Sequence, residues 1–160
     1  MKRLRKLVTF SLDDRKFALY VSVVQRIIQV VEVTALPKAP EIVVGIINLQ
    51  GTVIPVFDIR MRFRRPAREV RIDDQIIIAT TTMRTVALIV DSVDDVIEIP
   101  EEKIVAAEQI LPELEHVEGV VKTEGGMVLI HDLEKFLSLP EEKGLDEAME
   151  ALNSDEQKDG

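Results

Sequence analysis

The chain has 160 residues, of which 46% are hydrophobic, and a formal net charge of -9. This apolar content is ample for a folded core, while the absence of cysteine excludes disulfides and thiolate metal sites. No apolar run approaches the roughly 20 residues of a membrane-spanning helix, so the sequence predicts a soluble, cytoplasmic protein.

Charge is distributed unevenly along the chain. Residues 1–71 hold 14 basic and 6 acidic side chains, residues 72–140 hold 4 and 15, and residues 141–160 hold 2 and 8. Two oppositely charged halves could attract each other or could recognise different partners. The same distribution is also compatible with ordinary solvated surface.

The first half of the chain predicts five short strands. Short runs rich in β-branched and aromatic residues are separated by turn residues and by Pro37 and Pro40. The predicted strands are Leu7–Leu12, Lys16–Tyr20, Arg26–Val33, Val43–Ile47 and Val53–Phe57. A short helix, Asp58–Phe63, follows with Asp58 as its N-cap, and the polar segment 64–72 leads to the second half.

The second half predicts the same order of elements. They are a hairpin (Gln75–Thr82 and Arg84–Val90), a strand (Val93–Ile99), a helical turn (Glu101–Ile104), two further strands, and a helix (Asp132–Leu139) ended by Pro140. Beyond it lies an acidic tail, residues 141–160. Leu145, Met149 and Leu152 are spaced for an amphipathic helix in charged surroundings, so we expect this tail to be partly helical or disordered.

An internal repeat supports a division into two halves. The segment Val43–Phe63 aligns with Val117–Leu137, and Ala18–Val30 aligns with Ala87–Ile99. Two matched blocks in the same order predict two similar units, residues 1–72 and 73–140. Five short strands in each half predict an all-β fold with short helices, built from two tandem small barrels.

The sequence offers little for catalysis, and we expect no enzyme activity, cofactor or metal. His131 aligns with Phe57 of the first half, which predicts a packing role. Asp91, Asp94 and Asp95 could hold a hard cation, but the spacing of a calcium loop is missing, and solvated turn residues are the favoured interpretation.

One basic segment leaves a nucleic-acid function open as an alternative. The stretch from Arg60 to Arg71 carries six arginines in twelve residues. It contains a single aromatic residue and no zinc ligands, and the whole chain is acidic. A solvated crossover between the two halves is the favoured interpretation.

The segment VVGIINLQGTVIPVFDIRMRF, Val43–Phe63, resembles the hallmark segment of CheW-like domains. LVTFSLDDRKFALYVSVVQRII resembles the opening of that family and GGMVLIHDLEKFL its close, so that the resemblance extends from about Leu7 to Leu139. It implies two five-stranded SH3-like β-barrels without catalysis. It also implies a cytoplasmic adaptor, recruited to membrane-associated receptor arrays, that couples chemoreceptors to the regulatory domain of the histidine kinase CheA.

The resemblance further implies a groove between the barrels that accepts the helical tip of a chemoreceptor, without direct membrane insertion. The residues of this chain that match the family's receptor contacts are Val24, Gln25, Ile27, Gly45, Asn48, Leu49, Gln50 and Gly51. An apolar groove would accept the apolar face of a helix, while the turn would fix its register. Gln50 and Arg26 depart from the family's usual residues, which are arginine and an acidic residue respectively.

Overall fold

The backbone forms two sheets, which the computed structural model describes over residues 3–66, 68–110 and 116–158. The first sheet has six strands, in the order β8 (Ser92–Pro100), β1 (Leu4–Leu12), β2 (Arg15–Tyr20), β11 (Gly126–His131), β10 (Val117–Thr123) and β9 (Val105–Ala106). The second sheet has five, in the order β3 (Val24–Gln29), β6 (Gln75–Thr80), β7 (Thr85–Val90), β5 (Thr52–Phe57) and β4 (Val43–Leu49). The expected all-β architecture of two small barrel units is confirmed.

The strands do not divide between the sheets at residue 72. The opening hairpin β1–β2 pairs with β8 and β11 from the second half, while β6–β7 pairs with β3 and β5 from the first half. Each sheet therefore combines the hairpin of one half with the remaining strands of the other. The boundary expected between residues 1–72 and 73–140 is not the boundary between the sheets, because alternation of side chains specifies a strand but not its partner.

The buried apolar side chains form separate groups, one between the two sheets and one inside each sheet. One group lies between the sheets and includes Phe10, Phe17 and Phe57, all with no exposed surface. The interior of each sheet holds a group of its own, represented by Ile76 in the second sheet and Ile130 in the first. The group between the sheets is called the shared core below. Removal of these side chains from water is the largest favourable contribution to the stability of the fold.

Ion pairs join the basic first half to the acidic remainder of the chain. Lys16 pairs with Asp94 at 2.7 Å, Arg5 pairs with Glu101 at 3.4 Å, and Arg62 pairs with Glu141. Two of these pairs join the first half to the second, and the third joins the first half to the acidic tail.

Most predicted elements agree with the structure within a few residues. The helix expected after β5 is a 3-10 helix, Ile59–Phe63, and Asp58 caps it by accepting from the backbone N–H of Arg60 at 3.0 Å. A second 3-10 helix, Glu101–Lys103, confirms the expected helical turn. The strand expected at Arg26–Val33 is shifted, since β3 begins at Val24 and ends at Gln29.

The end of the chain differs from the prediction. No helix forms over Asp132–Leu139; instead a short helix α1 (Ala107–Ile110) precedes β10, and a long helix α2 spans Leu139–Lys158. The acidic tail is thus helical as far as residue 158, which is one of the two states expected for it, and residues 159 and 160 lie outside the described residues. Pro140 was interpreted as a terminator, but it stands in the first turn of α2, where its missing N–H costs nothing.

Helix α2 is held by a cap and by the shared core. Ser138 and Glu141 form a capping box: the N–H of Glu141 donates to Ser138 Oγ at 3.2 Å, and the N–H of Ser138 donates to Glu141 Oε1 at 2.9 Å. Leu145 and Ala148 are buried in the shared core. Arg84 of β6–β7 donates to Glu142 at 2.8 Å, which ties the helix to the second sheet.

Candidate functional site

Two of the predicted contacts lie on the side of β3 that faces the shared core. Val24 is paired with Ala79 and Ile27 with Ile77, and both partners belong to the shared core. Cross-strand partners lie on the same face of a sheet, so Val24 and Ile27 share that face. Val24 is partly buried, whereas Ile27 remains 38% exposed. The edge of the shared core therefore reaches solvent along β3.

The turn between β4 and β5 has a fixed backbone conformation. Gln50 and Gly51 have φ angles of 53° and 88°, as a two-residue hairpin turn requires. The Asn48 side chain accepts from the N–H of Gly51 at 2.8 Å and thereby braces the turn. Asn48 faces Val53, which packs on the shared core, so Asn48 lies on the same side of the second sheet as Val24. Gln50 and Gly51 are exposed.

Two further predicted contacts point inward. Gly45 is buried, and a Cβ there would overlap the carbonyl oxygen of Thr34, which is bridged to Ile46. Leu49 packs against the interior of the second sheet. Gly45 therefore allows the backbone at Thr34 to approach β4 closely, and Leu49 contributes to the packing inside the second sheet.

Gln25 and Arg26 lie at the exposed edge of β3. The Gln25 side-chain amide donates to Thr80 Oγ1 and so ties β3 to the end of β6. Arg26 is exposed, next to a register shift in the pairing of β3 with β6. The sequence did not single out Thr80; its place opposite Gln25 follows from a sheet register that a single strand does not reveal.

The structure thus brings Val24, Ile27 and Asn48 to one side of the second sheet, at the margin of the shared core. These three residues define the seam. Gln25, Gln50 and Gly51 lie at exposed positions on the same strands or turn, while Gly45 and Leu49 are directed inward. Val24 and Ile27 lie on the edge strand β3, and Asn48 lies on β4 at the opposite edge of the sheet. Apolar side chains on an edge strand are suited to holding the apolar face of a helix.

Three of the six arginines in the basic segment from Arg60 to Arg71 are engaged by carboxylates of the same chain. Arg60 is 1% exposed and contacts Asp58 and Asp91, Arg62 pairs with Glu141, and Arg68 pairs with Asp74. Guanidinium groups held by carboxylates are not available to phosphates. The nucleic-acid alternative is therefore not supported.

The carboxylates considered for a cation are occupied by donors. Asp94 accepts from Ser11 at 2.6 Å, from Lys16 at 2.7 Å and from Ser92 at 2.9 Å. Burial alone would raise the pKa of Asp94, but these hydrogen bonds outweigh it and lower the pKa. Within the described ranges, no group of three or more histidine and acidic side chains is placed to hold a metal ion.

His131 has the predicted packing role. It is 1% exposed, and its ring lies 5.6 Å from that of Phe63 and 5.4 Å from that of Phe136, both edge-on. Burial, with a smaller contribution from His116, lowers the pKa of His131 to about 3. The side chain is therefore neutral near pH 7 and is part of the apolar packing.

Of the helices in the part of the chain that the structure describes, none combines the length and apolar character needed to cross a membrane.

Two small β-barrel units around a shared core, with apolar side chains at the margin of that core, define a two-barrel binding module. The chain belongs to the CheW family: the model of the CheW-like domain matches residues 6–141.

Known relatives support this assignment over most of the chain. The chemotaxis protein CheW of Rhizobium meliloti (strain 1021) is 32% identical over 132 residues, which cover 81% of this chain and 85% of that protein. The chemotaxis protein CheW of Bacillus subtilis (strain 168) is 31% identical over 134 residues, covering 82% and 86%. The crystal structure of the scaffolding protein TtCheW from Thermoanaerobacter tengcongensis has a TM-score of 0.78 and 34% identity, and the match covers 88% of this chain and 96% of that one.

Proposed function

We propose that the protein is a non-enzymatic adaptor of chemotaxis signalling that couples chemoreceptors to the histidine kinase CheA. The match to the CheW-like domain over residues 6–141 carries this proposal. The relatives named chemotaxis protein CheW and the structural neighbour named a scaffolding protein agree with it. The adaptor is recruited to membrane-associated receptor arrays through its partners.

The seam is the proposed receptor site. Val24 and Ile27 present apolar surface beside the shared core, and Ile27 is 38% exposed. A receptor helix laid along β3 would bury this surface, and removal of apolar area from water favours association. The braced turn at Gln50 would contact the same helix and fix its register.

The regulatory domain of CheA is the proposed second partner, and edges of the two barrel units would contact it. Strand β8 ends one side of the first sheet, and β4, at the opposite edge from β3, ends one side of the second. Edge strands present backbone groups that a neighbouring protein can pair with or cover. Receptor and kinase could then occupy different parts of the same adaptor.

Val24→Asp tests the receptor site. A carboxylate at the margin of the shared core disfavours an apolar helix, so we expect affinity for a receptor-tip peptide to fall about tenfold or more, which corresponds to about 1.4 kcal/mol. Binding to the CheA regulatory domain should stay unchanged. Both affinities can be measured by isothermal titration calorimetry.

Val96→Asp is the matched control, because Val96 is 58% exposed on β8 of the other sheet. It should retain wild-type receptor affinity. If folded Val24→Asp bound the receptor tip as tightly as Val96→Asp does, the seam would not be the receptor site. If the wild-type protein bound neither receptor nor kinase, the adaptor function itself would be wrong.

A further inference from the structure

The chain passes from the second sheet to the first through a single residue. Strand β7 ends at Val90 and β8 begins at Ser92, so Asp91 alone forms the crossing. Its N–H donates to the carbonyl of Ser11 at 3.1 Å, and its carboxylate accepts from the N–H of Asp13 at 2.7 Å. Both of these partners belong to the β1–β2 hairpin of the first sheet.

Arg60 reaches this crossing from the second sheet. It lies in the 3-10 helix that follows β5, and it is 1% exposed. Its guanidinium contacts the Asp91 carboxylate directly, lies 3.1 Å from Asp58, and lies 3.9 Å from Asp13. One buried cation therefore contacts carboxylates at the end of a second-sheet strand, at the crossing and in a first-sheet turn.

Arg68 completes the network. It shares the Asp91 carboxylate with Arg60 and donates to both oxygens of Asp74, at 2.6 and 2.9 Å, immediately before β6. Burial alone would raise the pKa of Asp74, but the hydrogen bonds from Arg68 and from the N–H of Arg71 lower it. The Asp74 carboxylate is thus held in its ionised form near pH 7.

This network differs in kind from the shared core. Apolar contact is non-directional, so the shared core specifies the angle between the sheets less strictly than directional bonds do. Charge-assisted hydrogen bonds prefer particular distances and angles, and a one-residue crossing has only two soft dihedral angles. We propose that Arg60 and Asp91 form a clamp that fixes the angle between the two sheets. The clamp is a property of the fold and is independent of the proposed adaptor function.

Distances between spin labels on the two sheets test the clamp. The chain has no cysteine, so cysteines can be introduced at the exposed positions Gln29 on β3 and Lys122 on β10 without other labelling sites. Pulsed electron paramagnetic resonance then reports the distance between the sheets. The label pair is placed in the full chain, in Arg60→Met and in the nearly isosteric Asp91→Asn.

We expect a narrow distance distribution in the wild-type chain and a displaced or broadened one in Arg60→Met and Asp91→Asn. Labels at Gln29 and Thr52, both on the second sheet, should give the same distance in all three proteins. Lys16→Met is a further control because its ion pair with Asp94 joins two strands of the same sheet.

An unchanged, narrow distribution between the sheets in both clamp variants would overturn the proposal. If circular dichroism shows that Arg60→Met does not unfold cooperatively, that variant is not properly folded and the test of the clamp depends on Asp91→Asn alone. Asp91→Asn keeps the volume of the side chain and an oxygen that can accept from the N–H of Asp13. A change that also appeared between Gln29 and Thr52 would show general loosening and would equally count against a clamp.

Discussion

The buried His131 makes the stability of this protein depend on pH in a calculable way. Burial holds its pKa at about 3, whereas the ordinary value is 6.5. Between these two values the unfolded chain binds a proton at this residue and the folded chain does not. The free energy of unfolding therefore falls as the pH falls below 6.5, and the loss is complete only below about 3.

The change His131→Phe should remove this dependence. Phe57 occupies the aligned position in the first half and also contacts the ring of Phe136, at 5.1 Å, so the chain itself shows that phenylalanine suits such a site. Each pH unit below the unfolded value costs the wild-type protein about 1.4 kcal/mol. Between pH 7 and pH 5 the wild-type protein should lose about 2 kcal/mol relative to the variant.

Urea unfolding followed by far-ultraviolet circular dichroism at pH 7, 6 and 5 gives both stabilities. His116→Gln, measured in the same way, separates the contribution of the other histidine to the slope from that of His131. Burial raises the pKa of Glu118, which acts in the opposite sense, but this contribution is common to both proteins and cancels in the difference. If the free energy of unfolding changed with pH by the same amount in the wild-type protein and in His131→Phe, the reasoning would be refuted.

Two further substitutions test features of the fold by the same urea measurement. Ser138→Ala removes the cap of α2 and should lower the free energy of unfolding by about 1 kcal/mol. Ser154→Ala, at an exposed position inside the same helix, is the control and should change that free energy by less than about 0.5 kcal/mol. Equal effects of the two substitutions would show that the cap does not stabilise the helix. Gly45→Ala forces a methyl group to 2.3 Å from the carbonyl oxygen of Thr34 and should cost about 3 kcal/mol. Gly119→Ala, at the aligned position, would meet Ile104 at 3.0 Å and the carbonyl oxygen of Val105 at 3.3 Å, and should cost less because both atoms are farther away. The reverse order would contradict the close-approach account of Gly45.

Local features of the fold could be predicted from the sequence. The segment Val43–Phe63 contains short β-branched runs around a glycine turn, and it forms β4, the turn, β5 and the capped 3-10 helix. These features depend on neighbouring residues, which a sequence displays directly. The internal repeat likewise predicted that the second half would show the same order of strands.

The pairing of strands could not be predicted in the same way. Strand β1 pairs with β8, and Leu7 is opposite Ile97, so residues far apart in the chain select each other. Alternation of apolar residues tells which face is buried but not which strand lies alongside. For this reason the sequence predicts that residues 1–72 and residues 73–140 each form one barrel, whereas in the structure each sheet combines strands of both halves.

Helix α2 could have been predicted more fully. Ser138 and Glu141 have the spacing of a capping box, and Pro140 between them is compatible with a first helical turn. The prediction instead used Pro140 as a stop signal. Leu145 lies among charged residues in the sequence, and these do not indicate that the apolar face of α2 is buried in the shared core.

The positions of the candidate site residues in the fold could be predicted only in part. Val24 and Ile27 reach the seam because a register shift in β3 sets which side chains face the shared core. Gly45 belongs to the same sequence motif but is buried, since the motif serves the fold as well as any partner. Sequence similarity alone does not separate these two roles, whereas the position of each side chain does.

The exchange of hairpins between the two halves has a consequence for how such a molecule is built. A chain with only one half would lack partners for its hairpin and for the strands that follow it. Two copies of that half, each lending its hairpin to the other, would complete both barrels with twofold symmetry, as in a domain-swapped dimer. The present molecule has the architecture of that dimer with its subunits joined end to end, so that mutual completion proceeds within one polypeptide and does not depend on protein concentration.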